Sequence, residues 1–347
     1  MAALLIVLFH FPNWNNYFYD YTILRKGYLM VDLFFVLSGF VIFGAYSNKI
    51  RNLRELFRFQ SLRFWRLYPV YFLFLGIFIF IELAKYIAQN EFGIISPHSE
   101  PFVVNNATAL IQSLFLLQAI GPTGNAMTFN IPAWSISVEF YTYLVFGFVV
   151  LKLPKFKNIV FSLLLLISFF LLLSGKKFGF DYLISCFSGF FLGCLVFVFK
   201  EKTKFVLSPC VPNIIILILL AYLNINFDRK FDIAIYFISA LLIYSIALTR
   251  GSLTHLILNS RLISWLGNIS YSMYMSHTAI LWCANQTFRL ILKKNELLIE
   301  GKFTPQLNFF EALAAYILIF AFILIISNYI NKMIEKPFRS KGRSFFT

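Results

Sequence analysis

The chain has 347 residues, of which 60% are hydrophobic, 20% aromatic and 13% charged, with a mean hydropathy of +0.77. So little polar sequence cannot cover a water-soluble surface, which excludes an ordinary soluble enzyme and points to an integral membrane protein. The formal net charge of +15 does not indicate a nucleic-acid partner, because the Lys and Arg fall in short stretches between apolar runs, where membrane orientation accounts for them.

With roughly 20 apolar residues taken as one crossing, the sequence predicts an all-α integral membrane protein of about ten transmembrane helices. They lie at 1–12, 28–46, 68–88, 132–151, 159–175, 182–199, 211–227, 231–248, 263–284 and 309–330. The first is shorter than a full crossing, yet it has neither a basic leader nor a small-residue cleavage site and does not read as a signal peptide. The first helix is therefore expected to begin upstream of Met1. The apolar segment 107–120 is also too short to cross and is expected to be a re-entrant or interfacial helix.

Charge bias orients this arrangement. With the amino terminus cytoplasmic and 107–120 not crossing, the inner side collects most of the Lys and Arg. They include the loop from Lys49 to Arg66, the Lys152, Lys155 and Lys157 group, and the tail from Lys332 to Arg343. The positive-inside rule favours that assignment, so both termini are expected in the cytoplasm. The whole of 1–347 reads as one transmembrane domain with no appended soluble domain. Cys186, Cys194, Cys210 and Cys283 form no close pair, so neither a disulfide framework nor a zinc site is expected, and no metal of any kind. There is no Gly-rich phosphate cradle.

Four polar constellations stand out against the lipid-like background. His10 lies in the first apolar run, and an ionisable group at membrane depth marks a functional site by default. A neutral imidazole can take a proton from a hydroxyl near pH 7, although a packing histidine bonded to a neighbouring helix accounts for it equally well. Asp32 falls near the outer end of the second span, at the same end as His10, where a carboxylate can orient an imidazole. In that span Ser38 and Gly39 are small enough to admit a neighbouring helix or a thin acyl chain, and helix packing is the plainer reading. Arg63 and Arg66 are three apart, on one helical face, and together can grip a phosphate-bearing ligand. Contact with anionic lipid accounts for most of the remaining charge in that loop. Trp134 sits at the outer interface and Glu139 about one and a half turns deeper, where it needs a partner such as His10, Arg63 or a ligand. His277 lies deep in the ninth span among Ser270, Tyr271, Ser272 and Tyr274, as part of either an acceptor path or a packing cluster. His98 and His255 read as solvated, and the long outer loops 91–106 and 289–308 are candidates for acceptor recognition.

These stretches, in this order, resemble the acyltransferase-3 family of membrane acyltransferases over nearly the whole chain. The resemblance rests on Ala3-Leu-Leu-Ile-Val-Leu-Phe-His10-Phe, on Asp32-Leu-Phe-Phe-Val-Leu-Ser38-Gly39-Phe, on Arg63-Phe-Trp-Arg66-Leu-Tyr-Pro69 and on Trp134-Ser-Ile-Ser-Val-Glu139-Phe-Tyr. It rests as well on Trp265-Leu-Gly-Asn-Ile-Ser-Tyr-Ser-Met-Tyr-Met-Ser-His277 and on the ending Ile334-Glu-Lys-Pro-Phe. Each motif is weak alone, and their order and spacing make the match specific. The resemblance implies transfer of an acyl group, usually acetyl, from cytoplasmic acyl-CoA to a hydroxyl of a glycan or lipid-linked saccharide in the bacterial cell envelope. His10 then matches the essential first-helix histidine, and Arg63 and Arg66 match the arginine pair assigned to the CoA phosphates. The family pattern also has an arginine about a dozen residues before that histidine, a position this sequence begins too late to contain.

The expected enzyme sits in the bacterial cytoplasmic membrane, takes acyl-CoA as co-substrate without a permanently bound cofactor, and contacts membrane lipids but no nucleic acid. Charged CoA stays at the basic inner side while its thin thioester arm reaches between helices toward His10. His10 can act as a base for direct transfer or accept the acyl group first. Direct transfer is the expectation, with Asp32 and Glu139 as orienting or charge-balancing groups and Trp134, Tyr274 and His277 on the acceptor side. The alternatives are a transporter or flippase of a glycan precursor, in which the same ionisable residues form a substrate path, and an inactive relative of the enzyme.

Overall fold

A computed structural model describes residues 2–96, 99–299 and 302–345; His98 lies outside them. The architecture is almost entirely helical. The chain runs through α1 (Ala2–Phe9), α2 (Met30–Tyr46), α3 (Leu53–Phe92), α4 (Ala107–Leu114), α5 (Trp134–Lys152) and α6 (Lys157–Ser174). It continues through α7 (Asp181–Lys202), α8 (Cys210–Asn224), α9 (Ala234–Leu248), α10 (Arg261–Gln286), α11 (Phe309–Ile330) and α12 (Lys336–Ser344). A two-stranded antiparallel hairpin, β1 (Glu296–Ile299) and β2 (Lys302–Pro305), joins α10 to α11.

Among the described residues, seven helical stretches are long and apolar enough to cross a membrane, against the ten expected. Of the other three expected spans, α1 and α8 are too short, and α10, although 26 residues long, carries too much polar sequence. The stretch 49–66 is not a loop. It becomes helical at Leu53, where the Asn52 side chain caps the Glu55 N–H, so Arg54, Arg58, Arg63 and Arg66 ride on the first turns of α3. At 40 residues that helix is about 60 Å long, roughly twice the hydrocarbon thickness, so it is too long to lie wholly within the lipid along the bilayer normal. The basic tail is likewise helical: α11 passes through a π-helical turn at Asn331–Glu335 into α12.

The core is held by aromatic side chains and by small residues that bring helices close. Along α2 and α7, Gly39 faces the Phe190 backbone, Gly193 faces Val36 and Phe40, and Gly189 faces Phe35. At each position a β-carbon would strike the neighbouring helix. A second cluster packs Ala3, Val7, Phe11 and Trp14 against Met273, Leu281, Ala312 and Ala315, which wedges α1 between α10 and α11. Two ends of the bundle result. One carries the basic turns of α3 with Lys49, Lys157 and α12, and is called here the arginine end. The other carries the end of α1, the hairpin and the α4 region, and is called the histidine end.

The segment after α4 is irregular, yet it is satisfied from inside the protein. Tyr71 and Tyr68 of α3 donate to the Ser113 and Leu114 carbonyls at 2.7 and 2.9 Å, and Ser137 and Tyr141 of α5 donate to those of Leu116 and Phe115 at 2.5 and 2.9 Å. Non-helical backbone within such a bundle survives only when its polar groups find partners of this kind.

Candidate active site

The first helix ends at the residue on which the site depends. Past Phe9 the chain turns at His10 and reaches Pro12, which cannot continue a helix. Arg25 reaches back over this end, donating to the Leu8 carbonyl at 3.3 Å while its guanidinium lies 3.7 Å from the Tyr19 ring. A cation at a helix carboxyl end is favourably placed. The following loop is tied to the α10–α11 connection: Trp14, fully buried, donates to Asn285 at 2.6 Å, and Leu307 N–H donates to the Trp14 carbonyl at 2.8 Å. The expected recognition loop 289–308 thus sits directly on the loop that follows His10.

His10 Nδ1 lies 2.9 Å from the Ile6 carbonyl. A carbonyl only accepts, so in the neutral ring Nδ1 carries the hydrogen and Nε2 is the basic nitrogen. His277 repeats this geometry one helix away, with Nδ1 3.2 Å from the Met273 carbonyl. The two imidazoles are in contact, their ring centroids 4.8 Å apart. His277 is fully buried, and its Nε2 has no hydrogen-bond partner among the described residues. The pair lacks a third ligand: among the described residues no group of three His, Cys, Asp or Glu is placed to hold a metal.

From this pair a polar stripe runs along α5. Tyr274, its ring 6.1 Å from that of His277, donates to the Pro132 carbonyl and bonds Ser135, both at 2.8 Å. Asn130, just before α5, accepts from Thr278 at 2.7 Å and donates to the Met275 carbonyl, which fixes the start of α5 on α10. Ser135, Glu139 and Tyr143 are spaced four apart and so share one face of α5. One Glu139 oxygen accepts from Ser38 at 2.7 Å and from Tyr143 at 2.5 Å, and Ser38 also bonds Tyr143 at 2.9 Å. Beyond Tyr143 comes Arg63, whose guanidinium lies 6.0 Å from the Tyr143 ring and donates to the Tyr46 hydroxyl at 3.2 Å. A cavity of about 440 Å³ opens there, lined by Tyr46, Lys49, Arg51, Glu55, Arg58 and Phe59 among others.

The expected residues thus divide into two groups. His10, His277, Tyr274, Glu139, Ser38 and Arg63 fall along this series of contacts, and Arg66 lies one turn from Arg63 at the arginine end. Asp32 lies elsewhere, one of its oxygens accepting from Ser185 at 2.7 Å and Tyr236 at 2.8 Å, so it binds α2 to α7 and α9. Gly39 is occupied by the α7 backbone, with the Cys194 thiol on its carbonyl. Trp134 packs on Tyr182 and Phe35, with ring centroids 4.7 and 6.0 Å away. Glu139 takes Ser38 and Tyr143 as hydrogen-bond partners instead of an arginine. Ser135, Tyr143, Tyr46 and Asn130 are not singled out by the sequence alone. The four-residue spacing within Trp134-Ser-Ile-Ser-Val-Glu-Phe-Tyr-Thr-Tyr was the available signal for the first two.

Comparison with known proteins bears on what this arrangement does. The acyltransferase-3 family model, described as an acyltransferase domain, matches residues 1–328. An uncharacterized protein of Haemophilus influenzae is 33% identical over 150 residues, covering 42% of this chain and 58% of its own. A Rhizobium radiobacter protein, described as protein 2 in the picA locus, is 36% identical over 118 residues, covering 33% of this chain and 61% of its own. The chain thus spans about three fifths of the length of these curated relatives. No solved structure matches. With the family match over nearly the whole chain and several helices apolar enough to cross a bilayer, the chain belongs to the acyltransferase-3 family, in keeping with a multi-pass membrane protein.

Proposed function

We propose that the protein transfers an acyl group, acetyl in the first instance, from acyl-CoA to a hydroxyl of a cell-envelope glycan or lipid-linked saccharide, in the cytoplasmic membrane of a bacterium. The observation that carries this reading is the series of hydrogen bonds and ring contacts from Arg63 through Tyr143, Glu139 and Ser38, and along the α5 face through Ser135 and Tyr274, to the His277–His10 pair. It offers cations for a phosphorylated donor at one end and an imidazole base at the other.

In the proposed step, His10 Nε2 takes the acceptor's hydroxyl proton as the oxygen attacks the thioester carbonyl. The new O–acyl bond forms, the carbon–sulfur bond breaks, and the proton passes from His10 to the departing CoA thiolate. Glu139, held by two hydroxyls, balances the imidazolium as it forms. Arg63 and Arg66 hold the donor's phosphates, and Ser38 lies beside its arm. Trp134, Tyr274 and His277 line the acceptor side. Asp32 acts on the site only by fixing α2, against which α1 packs, and Gly39 serves helix packing.

The test uses purified protein, labelled acetyl-CoA and an envelope glycan extract. Label appears on glycan with the wild type, and His10→Ala lowers its rate by about 10²–10⁴-fold, the usual contribution of a general base. Donor binding without transfer would overturn the reading in favour of an inactive relative; absence of donor binding would leave a transporter.

A further inference from the structure

The last helix is not a free basic tail. The Trp65 ring of α3 lies between two aromatic rings near its ends, with Phe338 5.9 Å away at 17° and Phe345 5.7 Å away at 24°. Gly342 closes on the same ring: a β-carbon there would come within 2.5 Å of the Trp65 β-carbon. This docking has a consequence for charge. Arg339 follows Phe338, Arg343 lies four residues on along the same face of α12, and Arg66 follows Trp65. The positive charges of Arg66, Arg343 and Arg63 all bear on Arg339, against the single opposing carboxylate of Glu335.

Four guanidinium groups from two helices therefore converge, and among the described residues none of them forms a salt bridge. The carboxylate nearest in sequence, Glu335, is buried and accepts from Ser272 at 2.7 Å and Asn331 at 2.9 Å. Arg66, Arg339 and Arg343 are exposed, whereas the Arg63 Nε is buried with no hydrogen-bond partner. Leu62, one turn before Arg66, lines the cavity of about 440 Å³ at this end. A topological signal needs only loose cations in a loop. Docking that brings like charges together works against their repulsion, and the fitting counterpart is a polyanion, since guanidinium forks match phosphate oxygens.

We propose that Arg339 and Arg343 of α12 join Arg63 and Arg66 in a binding site for phosphate groups, filled by the nucleotide end of CoA. The inference rests on the reading of acyl-CoA as donor, and it adds two ligand-contacting residues from an element that sequence alone leaves as a tail.

The test is CoA binding by the full-length protein in an uncharged detergent, followed calorimetrically. Arg339→Gln with Arg343→Gln weakens CoA binding 10-fold or more. Lys341→Gln, two residues from each on a different face of the helix, stays within twofold, and Arg339→Lys with Arg343→Lys recovers part of the loss. Unchanged size-exclusion profiles show that the variants remain folded. If the double Gln variant binds CoA within twofold of wild type, the inference is overturned. Should it instead lose retention of phosphatidylglycerol in nanodiscs while keeping CoA affinity, the cluster is a lipid-headgroup site and the inference is equally overturned. A wild type that binds no CoA at all removes the donor reading itself, an outcome distinct from both.

Discussion

At the scale of single residues, the proposed chemistry turns on which nitrogen each imidazole leaves available. His10 and His277 both commit Nδ1 to the carbonyl four residues back, so the atom with acid–base capacity is Nε2 in each. Asparagine at 277 separates the two roles, because its amide nitrogen reproduces Nδ1 and can still donate to the Met273 carbonyl, while nothing replaces Nε2. His277→Asn is therefore expected to slow transfer 10-fold or more with donor affinity unchanged, measured as kcat against CoA binding. Turnover within twofold of wild type would assign His277 to packing alone. His10 and Glu139 were legible in the sequence because an ionisable side chain in an apolar run is rare and costly, and Arg63 because it lies three residues from Arg66 in a basic stretch. Ser135 and Tyr143 were not, since hydroxyls are common in membrane helices and become informative only once the partner across the interface is known. Asp32 shows the opposite limit: antiparallel spans place it at the same end as His10, but rotation about the helix axis, which sequence does not state, turns it toward Ser185 and Tyr236.

At the scale of elements, the site depends on how closely α2 and α7 approach, because Ser38 must meet Glu139 while Gly39 lies on the neighbouring backbone. Lipid supplies no hydrophobic drive for two apolar helices to associate, so close packing across small residues has to hold them together. Gly189-Phe-Phe-Leu-Gly193 is a small-xxx-small pattern that was readable from sequence, and only its partner Gly39 was singled out. Valine at 193 would collide with the Val36 carbonyl, whereas a methyl group at Gly267 meets nothing within 4 Å. Gly193→Val is expected to cost about 1–3 kcal/mol through overpacking. Gly267→Ala, within α10, should be neutral or gain about 0.5–1 kcal/mol. Thermal unfolding midpoints in detergent check both, and equal midpoints for the two variants would show that the seam tolerates separation. The α12 helix was illegible for a different reason. Its charge pattern reads as a solvated tail, and the docking depends on aromatic stacking with a tryptophan more than 270 positions earlier in the sequence.

At the scale of the molecule, the two ends differ in kind, and the difference bears on which reactant arrives where. The arginine end gathers the basic turns of α3, Lys49, Lys157 and α12. The histidine end gathers aromatic and amide side chains around Trp14 and Asn15 and the β1–β2 hairpin, and cations there are engaged, Arg25 on the end of α1, Arg289 with Glu296 and Lys294 with Glu311. Cations near the ends of spans are retained on the cytoplasmic side, and the proposed donor, acyl-CoA, is too highly charged to cross hydrocarbon unaided, so charge bias and the proposed donor chemistry call for the same orientation. Single cysteines at Lys341, on α12, and at Lys293, just before the hairpin, test it in a chain whose native cysteines are replaced by serine. In intact cells a membrane-impermeant maleimide should label Lys293→Cys at once and Lys341→Cys only after permeabilisation. The reverse pattern would put the arginine end outside, cut off from the CoA pool, and the donor would then have to be some other activated acyl compound.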